Sequence, residues 1–207
     1  MARYTGPKCK VCRQSGEKLF LKGARCQTAK CPVEKRTGPP GMHRWRRGRP
    51  SPYATRMKEK QKCKRFYGLT ERQFRRVFQL ASKHAGNTGA NLLSLLERRL
   101  DNVLKVTGFA WSRSQGRQLI RHRNVEVNGH KVDVPSYVVK EGDVIRPVPQ
   151  DSVLAFVRQH REEQGHPESG WLEVNDADLT IRVVRMPVRE DVTVLINEGL
   201  VVEFCSR

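Results

Sequence analysis

Apolar positions keep a helical period through the first half of the chain and turn to alternation beyond residue 124. Phe74, Val77, Phe78 and Ala81 fall at i, i+3, i+4 and i+7, which predicts a helix with one buried stripe. The capping box Thr70–Glu71–Arg72–Gln73 opens it and Gly86 closes it. Ahead of it, Ser51 as N-cap and Pro52 in the first turn start a helix that runs to Tyr67 and stops at Gly68. Leu92, Leu93, Leu96, Leu100, Val103 and Leu104 carry the same period as further amphipathic helix. Within it, Glu97, Arg98, Arg99 and Asp101 read as surface pairs and caps. A second capping box, Ser112–Arg113–Ser114–Gln115, starts a short helix with Leu119 and Ile120 turned inward and Arg113, Arg117 and Arg121 in an exposed row. Charge removal along that row is expected to leave the fold intact.

From Asn124 to Val132 apolar and polar residues alternate about Asn128–Gly129, the pattern of a hairpin with a type I′ turn. Two short strands are expected between Ser136 and Pro147, around Glu141–Gly142–Asp143. Asp151 caps a helix from Ser152 to Gln164, and residues 171–174 and 179–184 alternate like strands. The class is α+β.

Charge changes the picture more than composition does. The 207 residues carry 40 Lys and Arg against 21 Asp and Glu, a net +19 with a pI near 10.3. Residues 1–65 hold 20 cations and 3 acids, residues 98–131 hold 8 and 2, and residues 132–206 hold 7 and 14. Charge kept only for solubility is interspersed; two cationic islands point instead to a polyanion, nucleic acid first. No apolar run reaches the roughly 20 residues that a membrane helix needs, and the N-terminus has no secretory pattern.

Cys9, Cys12, Cys26 and Cys31 form C-x2-C and C-x4-C pairs, a spacing able to converge on a tetrahedral metal site. Zinc is the expected ion, and an iron–sulfur cluster on the same four thiolates is the alternative. So few large apolar residues lie in this segment that metal would supply its folding free energy. Cys63 and Cys205 read as ordinary small apolar residues. Residues 38–52, GPPGMHRWRRGRPSP, read as an extended basic connector in which His43 or Trp45 stacks on a base.

The stretch from Leu95 to Ile145 resembles the RNA-binding module named after bacterial ribosomal protein S-four. The opening ARYTGPKCKVCRQSGEKLFLKG, the helix EKQKCKRFYGLTERQF and the ending PVREDVTVLINEGLVVEFCSR extend that resemblance to the full-length family. Its implication is a structural, non-enzymatic constituent of the small ribosomal subunit in the cytoplasm. Such a protein binds the 5′ domain of 16S rRNA first and nucleates assembly of the body. It contacts ribosomal protein S-five and other small-subunit proteins, influences accuracy, and helps line the channel by which mRNA enters. Neither membrane nor small-molecule substrate is implied.

The implied layout is a four-Cys segment at 1–45, a helical rRNA-binding domain at 46–96 and 187–207, and an inserted mixed domain at 97–186. Carried onto this chain, the metal-binding version of the family matches Cys9, Cys12, Cys26 and Cys31. The rRNA-binding residues it implies begin with Arg3, Lys8, Lys10, Arg13, Lys22, Arg25, Arg44, Arg46, Arg47 and Arg49. They continue through Arg56, Lys58, Lys60, Lys62, Lys64, Arg65, Tyr67, Arg72, Arg75 and Arg76. The module adds Arg113, Arg117, Arg121, His122, Asn128 and Lys131. Where the family's ending carries Tyr, this chain has Cys205. An RNA-modifying enzyme would need a catalytic domain larger than the remaining chain and a nucleophile–base pairing that does not stand out. A zinc transcription factor would leave the arginine-row helix without a clear role in the major groove.

Overall fold

The computed structural model describes residues 3–36, 38–42 and 49–206. Its contacts divide the chain into two compact units, residues 1–93 with 194–207 and residues 94–193.

In the first unit α1 (Lys8–Ser15) ends at Gly16, whose φ of 83° is the left-handed conformation that glycine adopts without strain. A single 3-10 turn at Ala24–Cys26 and the short α2 (Pro32–Lys35) follow. Helix α3 (Pro52–Phe66) starts as its sequence predicts: the Ser51 hydroxyl accepts from the Ala54 N–H at 3.2 Å, with proline in the first turn. In α4 (Glu71–Ala81) both halves of the capping box form, Gln73 N–H to Thr70 Oγ1 and Thr70 N–H to Gln73 Oε1. This helix stops at Ala81, the last residue of its apolar stripe, and the exposed residues 82–86 leave in turns before Gly86 is reached. The C-terminal helix, α9 (Glu198–Cys205), packs along α3. Leu19, Cys63, Phe66, Tyr67, Phe74, Leu92, Leu93 and Val201 are buried in this unit.

Helix α5 (Thr88–Glu97) carries the chain into the second unit, where the expected long helix is broken. Arg99 is extended (φ −68°, ψ 133°) and α6 (Leu100–Val106) begins after it. The cause is long-range: Arg99 bridges antiparallel to Val138, with Leu100 N–H donating to Tyr137 O and Val139 N–H to Arg98 O. Apolar periodicity runs through such a break, because it does not report where backbone groups find their partners.

Helix α7 (Arg113–Arg121) lies against α6. Gly116 permits this: a Cβ there would meet Asp101 O at 3.1 Å and Leu104 Cβ at 3.4 Å. Ser112 caps α7 through Gln115 N–H, but the Gln115 side chain accepts from Trp111 N–H at 2.8 Å, so the reciprocal half of the expected box is displaced by one residue.

Strands β1 (Val125–Val127) and β2 (His130–Lys131) flank Asn128 (φ 51°) and Gly129 (φ 80°), the paired positive φ values of a type I′ turn. The interval 136–147 yields one regular strand, β3 (Val144–Pro147), in place of two, since residues 137–139 bond to the α5–α6 break. Helix α8 (Asp151–Glu163) takes Gln150, not Asp151, as its N-cap. Strands β4 (Leu172–Asn175) and β5 (Thr180–Val183) complete an antiparallel sheet in the order β2-β1-β3-β5-β4.

On β3 and β5 the residues Ile145, Pro147, Ile181 and Val183 are buried while Arg146 and Arg182 are exposed. That period of two directs one sheet face to a core with Leu100, Leu104, Phe109, Ile120, Val157 and Trp171. The other face pairs charges across strands, Arg146 Nε to Glu126 at 2.9 Å.

Candidate nucleic-acid interface

The four N-terminal cysteines are all unpaired; Cys12, Cys26 and Cys31 are buried and Cys9 half-buried. Cys9 and Cys12 ride on α1, Cys26 closes the 3-10 turn, and Cys31 is the residue before α2. Lys22 N–H points at Cys26 Sγ from 3.4 Å. Burial pushes the Cys12 thiol up; a backbone hydrogen bond with Leu19 opposes that, and the charges of Cys26, Cys9 and Cys31 add to it. The four sulfurs therefore share one electrostatic neighbourhood. Among the described residues, however, no three His, Cys, Asp or Glu side chains close to ligating distance of a common point. The donor set and the amide directed at Cys26 suit a thiolate-bound ion.

Around this segment Arg3, Lys10, Lys22 and Arg25 are exposed. Lys8 is half-buried and donates to Leu21 O at 3.4 Å; burial lowers its pKa, with Arg3 and Lys22 adding to the effect. Arg13 donates to Gly38 O (3.2 Å) and Pro39 O (3.1 Å), so it ties the start of the basic connector to α1. Arg44, Arg46 and Arg47, with His43 and Trp45, lie outside the described residues. Arg49 is exposed.

The cations of α3 divide by face. Lys58 is exposed and Arg65 half-buried. Arg56 reaches Glu203 of α9 at 2.6 Å. Lys60, expected among the rRNA contacts, is 5% exposed: its ammonium sits 2.6 Å from Glu71 and 4.8 Å from the centre of the Phe204 ring. Lys62 is 6% exposed, bonded to Glu17 and to Leu195 O. Lys64 takes the other oxygen of Glu71 at 2.8 Å. Burial raises the Glu71 carboxyl, but the hydrogen bonds and charges of Lys60 and Lys64 outweigh it and bring the pKa down to about 2. Tyr67, a second expected contact, is 1% exposed and stands edge-on to Phe66 at 5.0 Å, a core residue. On α4, Arg72, Arg75 and Arg76 are exposed. A groove of about 400 Å³ between α3, α4 and α9 is lined by Tyr53, Arg56, Lys60, Arg75, Phe204 and Cys205.

The arginine row of α7 does not lie at the surface as expected. Arg113 and Arg117 are 9% and 7% exposed; only Arg121 reaches solvent. The reason is a buried polar network that the surface-pair reading of residues 97–101 misses. Arg99 holds Asp101 bidentately, Nε at 3.1 Å and Nη2 at 2.7 Å, both side chains within 5% of full burial. Arg117 Nη1 lies 3.9 Å from the same carboxylate. Arg113 Nε donates to Asn102 Oδ1 at 2.7 Å, and Asn102 Nδ2 donates to Glu97, both to its carbonyl (2.9 Å) and to its carboxylate. Burial pushes the Asp101 carboxyl up against the pull of Arg99, Arg117 and Arg113.

Beyond α7, His122, His130 and Lys131 are exposed. Asn128 is exposed too, but its amide is used internally: Nδ2 donates to Asp143 and Oδ1 accepts from Val144 N–H, both at 2.9 Å. Arg123, which sequence reasoning does not single out, has a φ of 59° and stands 72% exposed, 3.6 Å from Asp133. The run R-H-R after Ile120 is its only signal. No helix among the described residues is long and apolar enough to cross a membrane.

Exposed cations thus lie on the N-terminal segment and on α4 in the first unit and at the α7–hairpin junction in the second, while other cations of each unit are buried and paired within the fold. Comparison with known proteins finds a match to the ribosomal protein S4/S9 N-terminal domain over residues 3–97 and to the S4 domain over residues 98–145. The chain is 49% identical over 209 residues to small ribosomal subunit protein uS4 of Thermus thermophilus, covering all of both chains. It is likewise 49% identical to that of Thermodesulfovibrio yellowstonii over 210 residues and 50% identical to that of Gloeobacter violaceus over 208, again with full coverage of each chain.

Proposed function

The chain belongs to the uS4 family of small ribosomal subunit proteins, and from that premise we propose that it binds 16S rRNA directly, through its 5′ domain, as an early step in assembling the body of the subunit. Its role is structural, not enzymatic, and its place is the ribosome in the cytoplasm. The observation that carries the rRNA reading is where the unburied positive charge sits. Arg3, Lys10, Lys22, Arg25, Lys58, Arg72, Arg75 and Arg76 are exposed in the first unit, and Arg121, Arg123 and Lys131 in the second. Between residues 162 and 178, by contrast, the exposed side chains include Glu162, Glu163, Glu168, Glu173, Asp176 and Asp178 and no Lys or Arg, a surface that would repel phosphate and suits solvent or protein neighbours, ribosomal protein S-five among them. A role in decoding accuracy and at the channel that admits mRNA follows from the family resemblance.

The decisive test is footprinting of the purified protein on naked small-subunit rRNA, with binding followed across a salt series. Neutralising on the order of ten phosphates makes log K fall steeply and linearly with log salt. Protection confined to the 5′ domain with such a slope is the expected result; a flat salt dependence would remove the electrostatic basis of the proposal.

Cys9, Cys12, Cys26 and Cys31 are the residues that would hold a zinc ion, which supplies a cross-link and folding free energy to a segment with little core of its own. Support comes from the four unpaired thiols, their shared electrostatics, and the Lys22 amide directed at Cys26. Metal analysis of the purified chain should give one zinc per molecule. Chelation should then expose residues 3–36 to protease while the second unit stays protected; an unchanged cleavage pattern would refute the role.

A further inference from the structure

Tyr53, Arg56 and Lys60 stand at i, i+3 and i+7 on α3, so they share one face. That face, with Arg75 and Gln79 of α4 and Phe204 and Cys205 of α9, encloses the groove of about 400 Å³. Two rings meet in it. Tyr53 and Phe204 lie 5.5 Å apart between centroids, tilted by 46°, and the buried Lys60 ammonium stands 4.8 Å from the centre of the Phe204 ring. Phe204 is therefore held by two neighbours and Tyr53 rests against it, yet Tyr53 is 61% exposed. A large ring supported in this way and left uncovered is a stacking platform.

The charge around the rings selects what can cover them. Arg56, Lys60, Lys64 and Arg75 surround two carboxylates, Glu71 and Glu203. Both lysines bond Glu71, at 2.6 and 2.8 Å, and Arg56 bonds Glu203 at 2.6 Å. Arg75 is the surplus: its side chain is 74% exposed and, among the described residues, only its Nε is engaged, 3.4 Å from Glu71. Burial pushes the Cys205 thiol up, with Glu71 adding and Lys60 and Arg75 opposing, so the thiol lines the groove uncharged.

We infer that this groove is a subsite for one unpaired nucleotide of the RNA, its base stacked on Tyr53 beside Phe204 and its phosphate met by Arg75. The inference rests on the rRNA reading above and deepens it. A base has a flat apolar face for the rings and a polar edge, to which the exposed Gln79, one turn beyond Arg75, offers its amide. An apolar protein side chain would cover the rings but give Arg75 no counter-charge; a nucleotide supplies both. A base paired within an A-form helix has no free face, so the occupant comes from a loop, bulge or junction. Tyr53 carries no charge, which is why a count of cations passes over it. For the same reason its contribution is separable from the phosphate contacts, because a stacked ring releases no counterions.

The test titrates the full chain against a transcript of the 5′ domain of small-subunit rRNA over a salt series, with thermal melts in parallel. Tyr53→Ala is expected to weaken binding about tenfold at every salt concentration, with the wild-type slope. Tyr53→Phe and Tyr53→Trp, which keep a ring, should recover most of that loss. Arg75→Ala should instead lower the slope by about one.

Wild-type affinity for Tyr53→Ala would overturn the inference, and it is also the result expected if a protein side chain occupies the groove. Equal losses for Tyr53→Ala and Tyr53→Phe would assign the effect to the hydroxyl and overturn stacking. A lowered slope for Tyr53→Ala would do the same, since it would mean that lost phosphate contacts explain the weakening. Should Tyr53→Ala fail to fold, Tyr53→Leu decides: it keeps an apolar side chain without a ring, so a tenfold loss relative to Tyr53→Phe supports stacking and parity between the two refutes it. A wild-type chain indifferent to the transcript would refute rRNA binding itself, which separates the two failures.

Discussion

Helices α3 and α7 present the same sequence device, cations every four residues, and the fold uses it differently in each. In α3 the row Arg56, Lys60, Lys64 meets carboxylates from other helices, Glu203 and Glu71, so its charge stitches neighbouring helices together. In α7 the row Arg113, Arg117, Arg121 grades from a buried network to open solvent along one helix. The spacing shows only that side chains share a face. What the face meets decides whether the row is scaffold or surface, and a carboxylate outside the row settles it in both cases.

The largest expected effect breaks the network behind α7. Asp101→Ala removes the bidentate partner of Arg99 and the neighbour of Arg117, both within a few per cent of full burial. Stranding buried guanidinium groups should cost about 3–5 kcal/mol, read as a shift in the denaturant midpoint at unchanged m-value. A loss below about 1 kcal/mol would mean that the network is not holding α6 against α7, and the contrast with α3 would fail on the α7 side.

On the α3 side the corresponding residue is Glu71, which serves Lys60, Lys64 and, at 3.4 Å, Arg75. Its own side chain is 36% exposed, so solvent screens part of the interaction. Glu71→Gln should therefore cost less than Asp101→Ala, about 1–3 kcal/mol, mostly from Lys60 left buried without its counter-charge. The pH dependence has a definite sign. The folded-state pKa of Glu71 lies near 2, below the ordinary carboxylate value of about 4.3, so its contribution is complete above that ordinary value and fades as pH falls through the folded one. Between about pH 4.5 and 2 the wild-type chain should lose stability that Glu71→Gln has already lost, so the two stability curves converge on acidification. Curves that stay parallel would show that Glu71 does not bind these lysines as an anion.

These contrasts also mark what the sequence makes legible. Helix starts at Ser51–Pro52 and Thr70, the Asn128–Gly129 turn and the sheet alternation at Ile145 and Ile181 are local effects, and each appears where the residues predict it. The break at Arg99, the inward turn of Arg113 and Arg117, and the burial of Lys60, Lys62 and Tyr67 are not local. Partners on other elements decide them: Val138 for the break, Glu71 and Leu195 for the lysines, and the close approach of α6 to α7 at Gly116 for the arginines. Charge counted along the chain locates the cationic islands. It does not separate cations that face solvent from those already matched within the fold.

The exposed cations should behave in the opposite way to the buried ones. Replacing Arg72, Arg75 and Arg76 of α4 together by Ala should reduce the rRNA salt slope by about three and weaken binding at low salt, as removal of three phosphate contacts would. Apart from the long Arg75–Glu71 contact, stability should stay within about 0.5 kcal/mol per site. Filter binding and thermal melts on the same preparation separate the two effects. A triple variant that binds normally would assign these arginines to solvent.

The smallest expected change in stability sharpens the comparison within α7 itself. Arg117→Ala and Arg121→Ala delete the same side chain one helical turn apart, so helix propensity and lost charge nearly cancel between them. Arg121 is exposed near the C-terminal end of α7, and its removal should alter stability by no more than about 0.5 kcal/mol. Arg117, 7% exposed and beside Asp101, should cost more by at least about 1 kcal/mol, since a buried carboxylate loses part of its counter-charge. For rRNA the order should differ: Arg121→Ala lowers the salt slope by about one without a change in melting temperature. Equal melting temperatures for the two variants would place both arginines at the surface and erase the gradient along α7, leaving its row no different in kind from an ordinary solvated face.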